Sequence, residues 1–388
     1  MSNVSKRKIC VVTGTRAEYG LLLPLLQALK VDTAFELQLI ATAAHLSPEF
    51  GLTYRIIEED GFAVDAKVEM LLSSDTPVGI AKSIGLGTIG FADAFDRLRP
   101  DLLVLLGDRF EMLAAAQAAL VARLPIAHIG GGDTTEGAFD EAIRHSITKM
   151  SHLHFVTNQE SADRVLQLGE ETARVFVVGN IGIDLIKWIK LLPRDEVEQR
   201  IGFKLHQKNI LLTFHPVTLQ DDYGLKDFES LLAALDRLGD NYGLIFTRPN
   251  ADTYGRAIVK RLDRFVATHE NASVHTSLGS QMYLSTMASV DAVVGNSSSG
   301  LYEAPTFQKP TVDIGERQSG RLRANSVVHC KARADDIYDA IIEALSLDCS
   351  ETVNPYGDGH SVPRILAVLK NTPDYNALVK KHFVLRAK

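Results

Sequence analysis

Short runs of consecutive apolar residues alternate with amphipathic stretches along the whole chain. In the first half the runs fall at residues 8–13, 37–42, 102–106, 125–129, 153–157 and 174–178. Unbroken apolar runs of this length mark strands buried on both faces of a parallel sheet, and strand–helix alternation implies right-handed crossovers. A charged helical passage around 183–192 is closed by Pro193, and a polar stretch leads to Lys208. The series then restarts at 209–214, 242–247, 272–276, 291–294 and 310–314. The pattern predicts an α/β protein of two Rossmann-like domains, 1–185 and 186–366. A helical segment, 367–388, is expected to pack back on the first.

At 388 residues the chain is too long for one ordinary core, which agrees with two domains. Its 46% hydrophobic and 23% charged residues are those of a soluble globular protein. A net charge of -7 argues against general nucleic-acid binding, while a local basic pocket would still suit an anionic substrate. Cys10, Cys330 and Cys349 fit neither a zinc spacing nor a disulfide framework, which favours a reducing compartment. The apolar run after Lys6-Arg7-Lys8 is too short for a secretion signal, and no stretch reads as a membrane span. The expectation is a cytoplasmic protein without membrane contacts.

The chemistry-bearing residues follow the strands, where open parallel sheets bind ligands. The first strand ends in Gly14-Thr15-Arg16; only one glycine occupies the turn, so no dinucleotide fingerprint exists, and the second strand leads to His45 rather than to a ribose-binding acid. Arg16 there suits a phosphate oxygen, or else a surface salt bridge. Gly107-Asp108-Arg109 places a carboxylate and an arginine beyond a buried strand, with an adjacent-residue ion pair as the plain alternative. Gly130-Gly131-Gly132-Asp133 and Glu136 precede a helix carrying Asp140 and Arg144. In the second half, Phe214-His215-Pro216 ends a strand with an imidazole suited to proton transfer, although such histidines are often structural. Asn296-Ser297-Ser298-Ser299-Gly300 offers amides and hydroxyls to a diphosphate, with Glu303 set to accept a ribose diol; a ligand-free serine cap is the alternative. His152 and His154 alternate on one strand face without a third metal ligand at a useful spacing. The two phosphate-type turns together suggest a nucleotide sugar held between the lobes.

These groups suit a particular sugar reaction. A hexopyranosyl nucleotide has no carbonyl beside C2, so the C1–O bond to the diphosphate must break first. The oxocarbenium character then acidifies C2–H, a carboxylate removes that proton, and a glycal forms. Water adding across the glycal, with a proton delivered to the opposite face of C2, inverts that centre and frees the sugar. Asp108, Asp133, Glu136, Asp140 and His215 supply the acid/base candidates.

Taken together, the Gly-Thr-Arg, Gly-Asp-Arg, Asp-Glu-Ala-Ile-Arg-His, Phe-His-Pro and Gly-Asn-Ser-Ser segments resemble the UDP-N-acetylglucosamine 2-epimerases over roughly residues 9–325. Gly-Asp-Arg, where non-hydrolysing members carry Gly-Asp-Thr, is similar to the hydrolysing branch. The resemblance implies a GT-B architecture, two Rossmann-like domains facing across a cleft, with no metal or nicotinamide cofactor and a homodimer or tetramer. It implies conversion of UDP-N-acetylglucosamine to N-acetylmannosamine and UDP for sialic acid synthesis, or the same reaction on a UDP-2,4-diacetamido-2,4,6-trideoxyhexose. By motif, Asp108, Asp140 and His215 match catalytic positions, and Arg144 matches an active-site arginine. Arg16, Ser297, Ser298 and Glu303 match UDP contacts; Arg109 and His45 complete the expected substrate shell. One departure stands out: the glutamate common in the His-Ile-Glu-Gly-Gly segment is Gly130 here. Asp133, at the end of what reads as a flexible triple glycine, is the expected replacement and Glu136 the second choice. A glycosyltransferase and a catalytically silent UDP-sugar binder are the rival readings.

Overall fold

Strand β1 (Arg7–Thr13) shows how the first sheet is built. Its Ile9 and Val11 enter one apolar cluster and its Cys10 and Val12 the opposite one, all four fully buried. A strand covered on both faces must be apolar at every position, which is why the sequence runs are continuous rather than alternating. The computed structural model describes residues 6–386 except 73, 75, 136–138, 218, 219, 250–254 and 277.

The next strands are β2 (Phe35–Thr42), β3 (Ala66–Val68), β4 (Leu102–Leu106), β5 (Ile126–Ile129), β6 (Leu153–Val156) and β7 (Val175–Val177). They pair in parallel in the order β3-β2-β1-β4-β5-β6-β7. A second parallel sheet follows, made of β8 (Lys208–Thr213), β9 (Tyr242–Thr247), β10 (Ala272–His275), β11 (Ala292–Gly295), β12 (Thr311–Ile314) and β13 (Val327–Cys330). Its order is β10-β9-β8-β11-β12-β13. Both sheets are doubly wound and reverse direction beside their first strand, at β1/β4 and at β8/β11. These are the switch points where such sheets open for ligands. The sequence pattern missed β3 and β13, an edge strand in each sheet; β3 has only three residues, too few for a periodicity to register.

The chain divides into two compact units. Met1–Asp133, Phe139–Leu185 and Tyr356–Lys388 form the first, and Thr134–Ala138 with Ile186–Pro355 form the second. The return to the first unit thus starts at Tyr356, ahead of the 367 expected from the sequence, because local contacts capture the chain there. The Asn180 amide donates to the Tyr356 carbonyl at 2.7 Å. The buried Asp184 carboxylate then accepts from the amides of Ser361 and Val362 at 2.9 and 2.8 Å, capping helix Ser361–Asn371. At the far end of that helix Arg7 donates to the carbonyls of Leu369 and Thr372.

Helix Pro77–Leu98, contrary to expectation, is long and apolar enough to cross a membrane, with a mean hydropathy of 1.2. Here its Phe91, Ala94 and Phe95 enter the buried cluster on one face of the first sheet.

Because Asp184 satisfies two amides of the return helix, Asp184→Ala should lower unfolding free energy by about 1–3 kcal/mol. A urea midpoint equal to the parent's would show that the helix docks without its cap.

Candidate active site

At the first switch point the loop after β4 carries Gly107, Asp108 and Arg109. His128, on the neighbouring β5, supports this loop from below. A carbonyl can only accept, so His128 Nε2 donates to the Gly107 oxygen at 2.7 Å, and Nδ1 accepts from the Thr148 hydroxyl at 3.1 Å. Burial pushes this imidazole down to about 3, so it is a neutral brace. The sequence reading did not single it out, because its role depends on a carbonyl 21 residues away.

The ion pairs at this turn reach further than the adjacent-residue pairing considered from the sequence. Asp108 pairs with the buried Arg144 of helix Asp140–Met150, and Arg109 Nε donates to Glu111 Oε1 at 2.7 Å. Asp140 lies one turn before Arg144 on the same helix face, so three of the expected residues, Asp108, Asp140 and Arg144, are brought together.

Asp133 is held rather than free. Its Oδ1 accepts from the Thr157 hydroxyl and from the Ser161 hydroxyl at 2.7 Å, both at the start of the helix after β6. The preceding glycines are not a flexible tether either. A Cβ on Gly132, whose φ is +76°, would lie 2.1 Å from the Ser161 carbonyl oxygen. At Gly130 a Cβ would meet only the Gly107 nitrogen, at 4.0 Å, but φ is +80°. The backbone there therefore strains any side chain, whatever the room. Glu136 lies outside the described residues.

Arg16 opens helix Arg16–Val31 and is exposed, with Thr15 as the cap accepting from the Glu18 amide. His45, expected in the substrate shell, is enclosed by protein here. It is fully buried, its Nε2 engaged by Thr13 and its Nδ1 by Thr53, and burial holds it down to about 4. His154 pairs with the buried Glu170, and His152 Nδ1 accepts from the Ile126 amide, so both are structural.

At the second unit's switch point His215 lies two residues beyond β8. Its amide donates to Asn296 Oδ1 at 2.7 Å, and its carbonyl accepts from Asn296 Nδ2 at 2.8 Å. This clamp joins the ends of β8 and β11, where a Cβ on Gly295 would lie 2.0 Å from the Thr213 carbonyl oxygen. His215 Nδ1 is buried with no hydrogen-bond partner, and burial with the nearby Arg317 pushes the ring down to about 3. The imidazole is therefore neutral at physiological pH, a hydrogen-bonding group in this environment.

The serine loop behaves differently from a phosphate-binding helix start. Ser298 precedes a helix of only four residues, Ser299–Tyr302, too short to gather a useful dipole. What the loop presents is hydroxyls: Ser299 Oγ to Ser297 Oγ at 3.2 Å, with the Tyr283 hydroxyl on Ser299 at 2.5 Å. Glu303 follows, and burial pushes its carboxyl up to about 7 with Oε2 buried and unpartnered. Arg321 opposes that shift; it lies over the Tyr302 ring at 5.1 Å and donates to Gln318 at 2.6 Å. Arg321 was invisible in the sequence because it sits outside any strand-end motif.

A family model described as UDP-N-acetylglucosamine 2-epimerase matches residues 27–370. The chain is 45% identical over 326 residues to the GDP/UDP-N,N'-diacetylbacillosamine 2-epimerase (hydrolyzing) of Campylobacter jejuni, covering 84% of each. It is 36% identical over 375 residues to the UDP-N,N'-diacetylbacillosamine 2-epimerase (hydrolyzing) of Legionella pneumophila, covering 97% of this chain and 98% of that one. The crystal structure of the Neisseria meningitidis UDP-GlcNAc 2-epimerase bound to UDP-GlcNAc is similar at a TM-score of 0.80 and 18% identity, covering 94% of this chain and 100% of that one. At that identity the likeness is one of fold, the GT-B pairing of two Rossmann-like domains.

The fully buried imidazoles of His45 and His128 and the half-buried one of His215 sit at about 4, 3 and 3. In the unfolded chain each protonates near pH 6.5. The stability gained by keeping them neutral is thus complete above about 6.5 and is lost as pH falls toward the folded values. Ring ¹⁵N shifts should show all three neutral from pH 8 down to 5.5. A midpoint near 6.5 at any of them would mean that water reaches that ring.

Proposed function

Since this chain belongs to the UDP-N-acetylglucosamine 2-epimerase family, we propose that it is a hydrolysing 2-epimerase acting on a nucleotide-linked 2,4-diacetamido-2,4,6-trideoxyhexose. The observation that carries the choice of sugar is that two relatives, at 45% and 36% identity, are named for diacetylbacillosamine. UDP-N-acetylglucosamine, the leading substrate on sequence grounds, becomes the second reading, and with it N-acetylmannosamine and sialic acid synthesis.

In this reading the first unit does the work at C1 and C2. After the C1–O bond breaks, the leaving electron pair goes to the diphosphate, which Arg16 and Arg109 stabilise as charge-assisted donors. One carboxylate takes the C2 proton, giving the glycal. Water then supplies hydroxide to C1 and a second acid returns a proton to the other face of C2, inverting it. Asp108, anchored by Arg144, and Asp133, anchored by two hydroxyls, are the candidate pair, with Asp140 beside Arg144. The second unit takes the nucleotide, with Ser297 and Ser298 at the diphosphate and Glu303 at the ribose. The unpartnered Glu303 oxygen supports this, since a diol donating to it would restore the charged form. His215 completes the site as a neutral base or donor. The protein is expected to act in the cytoplasm without added metal or nicotinamide.

Incubation with UDP- and GDP-linked 2,4-diacetamido-2,4,6-trideoxyglucose should release the free manno sugar, with deuterium at C2 in heavy water. UDP-N-acetylglucosamine should be turned over at least about ten-fold less efficiently in kcat/KM. Faster turnover of UDP-N-acetylglucosamine sinks the sugar assignment, an unlabelled C2 sinks the elimination route, and nucleotide binding without turnover restores the silent binder.

The hydroxyl anchors of Asp133 give a second test. Thr157→Val with Ser161→Ala should lower kcat by roughly 10-fold or more, each donor to a charged group being worth about 1.5–3 kcal/mol, while UDP affinity stays within about two-fold. Parental kcat in the double variant would remove Asp133 from the acid/base pair.

A further inference from the structure

Two carboxylates beneath the first switch point have no part in the scheme above. Glu18 and Glu111 sit in the first turns of the helices that follow β1 and β4, the strands on either side of that switch point. Glu111 is fully buried; one oxygen accepts from Arg109 Nε at 2.7 Å and the other, Oε2, is buried without a partner. Glu18 is 7% exposed; its Oε2 accepts the Gly14 amide at 2.7 Å, and its Oε1 is also buried without a partner. Glycine at position 14 is what admits Glu111 to this place, since a Cβ there would lie 2.7 Å from Glu111 Cγ and Oε1. The charged groups acting on Glu18 are Glu111 and Arg109.

Two carboxylates out of water, each with one oxygen unpartnered, repel each other and lack the solvent that would screen them. We infer that Glu18 and Glu111 work as one buried anion sharing a single proton, with Glu111 the charged anchor that positions Arg109 for the substrate and Glu18 the proton holder. Burial, with the Glu111 charge added, pushes Glu18 up to about 8 against the opposing Gly14 hydrogen bond and Arg109. Below that pH the cluster carries one negative charge against one positive charge. Above it a second negative charge appears beside the same guanidinium and draws Arg109 away from any substrate anion. Neither acid touches substrate; both are positioning residues. The inference rests on the proposed contact between Arg109 and the nucleotide sugar.

The test uses the full-length protein and its nucleotide sugar. In the parent, kcat/KM should fall above about pH 8, and in Glu18→Gln, a mimic of the protonated acid, that limb should move up by roughly one pH unit or more. Glu111→Gln should raise KM about ten-fold, as Arg109→Ala does, and the double variant should be no worse than Arg109→Ala alone. A shared limb in parent and Glu18→Gln, or additive losses in the double variant, overturns the inference. Thermal melting reads the proton without turnover. A raised carboxyl pKa favours the fold fully below the unfolded value of 4.5 and loses that contribution as pH rises to the folded value, so the parent's melting temperature should drop between about pH 4.5 and 8 more than that of Glu18→Gln. If nothing is turned over but the melting curves diverge, the reaction is wrong and the shared proton stands. Coincident melting curves dismiss the shared proton whatever the activity.

Discussion

Approaches so close that one methyl group would collide set the geometry of the strand ends that carry the candidate site. Gly295 meets the Thr213 carbonyl, Gly132 meets the Ser161 carbonyl, and Gly14 leaves the slot that Glu111 fills. Each contact draws two neighbouring strand ends or their loops together, and the functional side chains project from the residues next to these glycines. Asp133 follows Gly132 directly, Asn296 follows Gly295, and Arg16 is two residues beyond Gly14. Without these approaches the loops would part by the thickness of a side chain and the hydrogen bonds across them could not form. Proteins place glycine where the backbone must come this close, and accept its entropic cost there.

The same crowding explains the histidines. An imidazole expelled from water loses its charged form and becomes a two-ended hydrogen-bonding strut. His128 spans from the Gly107 carbonyl to Thr148, and His45 spans from Thr13 to Thr53. Charge is left to the carboxylates and arginines, which are paired off: Asp108 with Arg144, and Arg109 with Glu111. The first unit thus separates groups that carry charge from groups that only hold position.

Much of this was legible in the sequence because a buried parallel strand and the turn after it are local features. The apolar runs located eleven of the thirteen strands among the described residues, and the residues after them named Asp108, Asp133, Arg144, His215 and Glu303. What escaped depends on partners far along the chain. Thr157 and Ser161 matter only because Gly132 brings Asp133 to them, 24 and 28 residues away. Glu18 reads as an ordinary helix-start acid until its burial against the Gly14 amide and the field of Glu111 are seen. His45 shows the converse failure: a strand-end histidine has the right address for a ligand contact, yet two threonines already occupy it.

The return of the chain to the first unit bears on how the protein is made. Helix Ser361–Asn371 is capped by Asp184 and held at its other end by Arg7, so that unit draws its parts from stretches before and after the second unit. As the chain leaves the ribosome, residues 186–355 can finish folding while the earlier-made sheet still waits for a helix not yet synthesised. During that wait the apolar flank built from Leu22, Leu25 and Leu29, which the late helix joins through Val362, Ile365 and Leu369, is left to solvent or to chaperones. The order of synthesis and the order of completion are therefore reversed for the two halves of the molecule.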